Sequence, residues 1–107
     1  MYLIGGTMNG RDYNCSQMYR LDMQTFNWDQ VATSASDGQP SAIPISIDEH
    51  TSCQDGSTAV IFGGFQDGTR RNQVHVFNAE TRVWSLLEPA SPVAPIPSAR
   101  AGHAAVL

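Results

Sequence analysis

Apolar and polar positions along the chain fall into short runs, and the runs repeat. Val60, Ile61 and Phe62 form an apolar stretch that stops at Gly63-Gly64. A polar loop follows, alternation resumes at Val74, Val76 and Phe77, and a turn over residues 78–81 leads to Trp84. Apolar runs of this length, punctuated by glycine and polar turn residues, predict strand, glycine stop, loop, strand, tight turn, strand. The same order stands earlier in looser form: Tyr2-Leu3-Ile4, then Gly5-Gly6, a loop, alternation over residues 18–22, a turn over residues 22–25, and Trp28. Gly5 and Gly63 are 58 residues apart and Trp28 and Trp84 are 56 apart, so the intervening loop is two residues longer in the first copy. No helical periodicity survives over ten residues.

Taken in order, residues 1–6 predict a strand apolar enough to be buried on both faces. Residues 7–17 read as a loop, 18–22 as a strand, and 26–31 as an outer strand. A long linker rich in Ser, Pro and Gly covers residues 32–46. Strands at residues 50–54 and 58–62 flank an Asp55-Gly56 turn. A loop over residues 65–73, a strand at 74–78 and an outer strand at 82–87 complete the second copy. Residues 88–97 form a linker with four prolines, and residues 103–107 predict one further first strand.

A unit near 50 residues with Gly-Gly, then Asp/Asn-x-x-Thr, then Trp resembles the kelch repeat, and the resemblance covers nearly the whole chain. It implies all-β architecture, each repeat being one four-stranded antiparallel blade of a β-propeller. Pro97-Ser98-Ala99-Arg100-Ala101-Gly102-His103 is similar to the Pro-x-x-Arg-x-Gly-His opening of a kelch blade. Its counterpart ends at His50, with Ile47 where Arg is expected and Glu49 where Gly is expected. The implied units are a blade lacking its first strand (1–47), a complete blade with its trailing linker (48–99) and the first strand of a following blade (100–107). Propellers close with about four to eight blades, so two form an incomplete ring. Further blades are expected from a longer chain; the alternative is a homo-oligomer, three copies closing a six-bladed ring by strand exchange.

Composition narrows the function classes. Of 107 residues 41% are hydrophobic and 15% charged, the net charge is −4, lysine is absent and the six arginines are scattered. That balance argues against a nucleic-acid or anionic-membrane surface. No apolar run approaches a membrane span, and no basic-then-apolar leader opens the chain. Cys15 and Cys53 occupy unlike repeat positions, which favours free thiols in a reducing compartment. A cytoplasmic location is therefore expected. Asn14-Cys15-Ser16 fits the glycosylation acceptor pattern, a match short enough to arise by chance.

Strand direction picks out one face. In a four-stranded antiparallel blade the second-to-third and fourth-to-first connections lie at the same end. The long connections, residues 7–17, 32–46, 65–73 and 88–97, therefore share a face, and the tight turns lie opposite. Recognition residues belong on loops held by a rigid scaffold. Arg11, Asp12 and Tyr13 in one repeat and Asp67, Arg70 and Arg71 in the next are the candidate partner-binding residues, arginine and tyrosine being frequent interface anchors. A solvated rim would present the same residues.

Gly5, Gly6, Gly63 and Gly64, with Trp28 and Trp84, are expected to be structural. The glycines would allow close backbone approach, and the tryptophans would pack between blades. His50 and His103 recur in register without a metal-like set beside them, and His75 is expected to be exposed or between blades. No nucleophile elbow and no phosphate loop occurs. The expectation is a non-catalytic interaction module with no metal and no cofactor, holding a protein or peptide, as the kelch resemblance implies. The alternative is part of a kelch-like enzyme of the copper oxidase type, which would need a Tyr, His and Cys constellation at one end.

Overall fold

The computed structural model describes residues 1–7 and 14–107. Strands β1 (Tyr2–Leu3), β2 (Gln17–Leu21) and β3 (Trp28–Ala32) form one sheet in that order. The second sheet is built on β5 (Thr51–Asp55), β6 (Thr58–Phe62), β9 (Val74–Asn78) and β10 (Val83–Leu87), an antiparallel four-stranded meander in the order β5-β6-β9-β10. Among the described residues there is one 3-10 turn, Pro40–Ala42, and no α-helix.

Cross-strand partners share a face, so register decides what is buried. Ala59, Phe77 and Trp84 are directly opposite one another, as are Ile61, His75 and Leu86. This face of the second sheet meets the first unit, where Cys15, Met18, Val31, Ala42 and Ile47 complete a buried cluster with Ile61, Phe77 and Trp84. The Tyr2 ring meets Phe77 edge-on at 5.2 Å, and Phe77 lies 4.8 Å from Trp84. The core is therefore the seam between two sheets, each supplying one face.

Several sequence expectations change here. The segment 32–46, expected to be a linker, contains β4 (Ser34–Ala35), which pairs in parallel with β10 at the outer edge of the second sheet. Gln39 continues that ladder with its side chain: Nε2 donates to the Leu86 carbonyl at 3.1 Å, and Oε1 accepts from the Leu86 amide at 3.1 Å. The loop 65–73 contains a hairpin, β7 (Phe65–Gln66) and β8 (Thr69–Arg70). Residues 103–107, expected to be a strand, carry no ladder pairing, and a strand exists only where a neighbour takes its hydrogen bonds. Trp28, expected to be buried like Trp84, is 51% exposed while Trp84 is 0% exposed. Its side of the first sheet faces away from the seam, and among the described residues no second sheet covers it. His75 takes the between-sheets alternative, 2% exposed with Nδ1 donating to the Ala42 carbonyl at 2.8 Å. That carbonyl can only accept, which fixes the proton on Nδ1.

Candidate functional site

The two glycine pairs organise one end of the molecule. Gly6 N donates to the Ile47 carbonyl and Gly64 N to the Arg100 carbonyl, both at 2.8 Å. Each pair thus receives the chain segment that opens the next repeat. A Cβ on Gly5 would meet the Ile47 carbonyl and the His50 ring. One on Gly63 would lie 2.7 Å from the Arg100 carbonyl and 3.0 Å from His103 Cε1. The recurrence of His50 and His103 in register follows from this: each imidazole lies over a glycine of the preceding unit. His103 Nε2 pairs with Thr51 Oγ1 at 2.8 Å, and burial pushes the His50 ring below its ordinary pKa.

The long connections contact one another at this end. Asn14 bridges to Ile45, and Cys15 N donates to the Pro44 carbonyl. Asp48 and Phe65 exchange both backbone hydrogen bonds, docking the β7–β8 hairpin, a two-stranded sheet of its own, against the segment that leads into β5. Arg71 N donates to the Gly64 carbonyl, Arg100 N donates to the Arg71 carbonyl, and Asn72 Nδ2 reaches the Pro97 carbonyl at 3.2 Å. The segment 97–102 therefore lies as a strap across residues 71–72.

On that frame the charged side chains take definite places. Asp67 (φ +50) and Gly68 (φ +71) are the two turn residues of the hairpin, the pair of positive φ values that a type I′ turn requires. Asp67 is exposed. Arg70 is exposed and its guanidinium carbon lies 5.0 Å over the Phe65 ring, its cross-strand partner. Arg71 is half-buried, and its Nε is desolvated with no hydrogen-bond partner. The structure thus carries Asp67 at the tip of the hairpin, Arg70 on its second strand and Arg71 at its foot. Arg11, Asp12 and Tyr13 lie outside the described residues. Arg100 was missed as a site candidate because its motif read as the opening of a strand; the strap carries it to Arg71. The Asp67-Gly68 dipeptide was the available signal for the hairpin.

The opposite end differs in kind. There an open groove of about 700 Å³ runs between β1 and β5, lined by Tyr2, Ile4, Met23, Cys53, Phe77 and Ala79 and by no charged side chain. Among the described residues no three His, Cys, Asp or Glu side chains come together as a metal would need. None of the helical structure described is long and apolar enough to cross a membrane.

The family described as the KLHDC2/KLHL20/DRC7 Kelch-repeats domain matches residues 1–107. Kelch domain-containing protein 3 of Bos taurus is 28% identical over 89 residues, 81% of this chain and 22% of that protein. The Homo sapiens protein of that name is 26% identical over 87 residues, 79% of this chain and 21% of its own length. The Leucine-zipper-like transcriptional regulator 1 homolog of Drosophila melanogaster is 26% identical over 108 residues, all of this chain and 11% of that protein. The chain spans about a fifth or less of these relatives.

Proposed function

The chain belongs to the kelch-repeat family, and on that footing we propose that it is a non-catalytic interaction module whose long-loop face holds a protein or peptide bearing acidic side chains. Kelch repeats generally mediate protein interaction, and the all-β blades described above are of that kind. One observation carries the choice of face and ligand. In a chain of net charge −4, the hairpin and the strap bring Arg70, Arg71 and Arg100 to the long-loop end with no ion pair among the described residues, whereas at the short-turn end Arg20 is paired with Asp29 and Arg82 alone stands without one. A cation held over an aromatic ring and another with a desolvated, unpartnered Nε are favourable places for a carboxylate, since charge-assisted hydrogen bonds are the strong ones. Asp67 at the hairpin tip would pair with a basic or hydrogen-bond-donating group beside the acidic ones and so fix the register of the ligand. We extend the surface to Arg11, Asp12 and Tyr13 of the preceding repeat, place the protein in the cytoplasm, and take the remaining blades to come from a longer chain.

The test is capture of a labelled oligoglutamate peptide. Arg70→Glu is the decisive change because Arg70 is exposed, whereas Arg71 is half-buried and its reversal would disturb the fold as well. Arg70→Glu should weaken capture about tenfold or more while leaving stability within about 0.5 kcal/mol. Arg82→Glu, on the short-turn end, should leave capture intact. Equal loss from both changes would place the ligand on the edge of the sheets and overturn the reading.

A further inference from the structure

We propose that Ser98 is a phosphorylation site and that Arg100 holds the phosphate. Ser98 is exposed, outside any strand or helix, in the strap that crosses residues 71–72. The guanidinium of Arg100 is already folded back onto it: Nη2 donates to Ser98 Oγ at 3.1 Å and Nε donates to the Ser98 carbonyl at 3.1 Å. Other hydroxyls in the molecule are engaged differently. Ser36 donates to Gln39, Thr33 donates to the Cys15 carbonyl, Thr51 is paired with His103, and Ser46 Oγ is buried. Among the described serines and threonines, Ser98 alone combines an exposed side chain with an arginine in hydrogen-bond contact.

The strap is anchored on both sides of the hydroxyl, by the Pro97 carbonyl to Asn72 and by the Arg100 backbone to Arg71 and Gly64. A modification at Ser98 therefore leaves the anchors in place. The reaction is phosphoryl transfer from a nucleoside triphosphate on a partner kinase. Ser98 Oγ bonds to the γ-phosphorus, the bond from that phosphorus to the β-phosphate oxygen breaks, and nucleoside diphosphate leaves. The hydroxyl proton passes to the kinase's general base. The product brings a charge of about −1.5 to −2 and three acceptor oxygens to a guanidinium whose planar fork suits them. It also offsets most of the positive charge that Arg70, Arg71 and Arg100 bring to this end of the molecule. This last consequence rests on the ligand face proposed above: phosphorylated protein should capture acidic ligand less well.

Two measurements test the site independently of any ligand. The intact protein, incubated with radiolabelled ATP in extract of the cells that make it, should incorporate label that maps to Ser98 and disappears in Ser98→Ala. With phosphoserine installed at position 98, the second phosphate ionisation followed by ³¹P resonance should fall below its ordinary value of about 6 and return to it in Arg100→Gln. No label at Ser98, or a titration that Arg100→Gln leaves unchanged, overturns the proposal. Label and titration as expected, with undiminished capture of the oligoglutamate peptide, would uphold the modification site and sink the ligand-face reading.

Discussion

A glycine is required where another group occupies the place of its Cβ, and Gly63 is such a position. Its φ is +65, and the atoms nearest a substituted Cβ are the backbone carbonyl of Arg100 and the His103 ring, which cannot both retreat without breaking the strap. Gly56 also has positive φ (+56), but a Cβ there meets nothing within 4 Å. Gly63→Ala should therefore cost well above the ~1 kcal/mol that left-handed backbone alone imposes, and Gly56→Ala about that amount; denaturant midpoints compare them. His75 makes a second residue-scale prediction. Burial depresses its pKa, with the Ala42 carbonyl opposing in part, so the unfolded chain binds the proton more readily. Its contribution is complete above the unfolded pKa of about 6.5 and is lost as pH falls through the folded value. Stability measured from pH 8 to pH 5 should decline toward acid, and His75→Gln should flatten that part of the slope. The Cys15 thiol is pushed up to about 11 by burial, which leaves partly exposed Cys53 as the thiol that reacts first with an alkylating reagent.

At the scale of elements, the repeated turns show how much the sequence disclosed. Asp22 Oδ1 accepts from the amides of Gln24 and Thr25, and Asn78 Oδ1 accepts from those of Glu80 and Thr81. Both turns close on a residue with positive φ, Phe26 and Arg82. Asp/Asn at the first position was enough to place these turns, because that side chain satisfies two backbone donors by itself. The two departures at the start of the second repeat have unequal consequences. Ile47 replaces an expected Arg harmlessly, since the bond to Gly6 uses its backbone carbonyl and its side chain joins the core. Glu49 replaces an expected Gly and carries φ +50 where Gly102 in the next repeat has +63. The tryptophans, alike in sequence, are unlike in place: burial depends on which neighbour covers a sheet face, and local pattern does not encode that. Trp84→Ala, emptying the seam beside Phe77, should cost about 3–5 kcal/mol. Trp28→Ala should cost under about 1 kcal/mol, and equal losses in urea unfolding would refute the distinction.

At the scale of the whole molecule, the parallel pairing of β4 with β10 had no local signature. Ser34 and Ala35 are poor strand formers by composition, and the contact joins residues 49 apart in sequence, Ser34 with Val83 and Ala35 with Trp84. The meander, by contrast, was legible because each of its strands pairs with a neighbour reached by a short turn or one loop. That the long connections share one end was legible from strand direction, but which residues meet there was not, since the strap that brings Arg100 to Arg71 depends on backbone bonds between distant carbonyls and amides. The β4 crossing also has an energetic consequence. Ser34 N and Ser36 N donate to the carbonyls of Arg82 and Trp84 at 3.0 and 2.8 Å, and Gln39 adds two bonds to Leu86. These bonds fasten the exit of the first unit to the outer edge of the second, beside a core to which both contribute. Opening one sheet without the other would expose the seam and orphan that ladder, so the two sheets should open as a single unit. Amide hydrogen exchange at Tyr19 in β2 and Val76 in β9 should report a common opening free energy. Ser36→Pro removes the donor to Trp84, and a lost buried bond of this kind costs about 1–3 kcal/mol. In that variant the Tyr19 amide should exchange from a lower-energy opening than Val76; two distinct opening energies in the unsubstituted chain would show that the crossing does not couple the units.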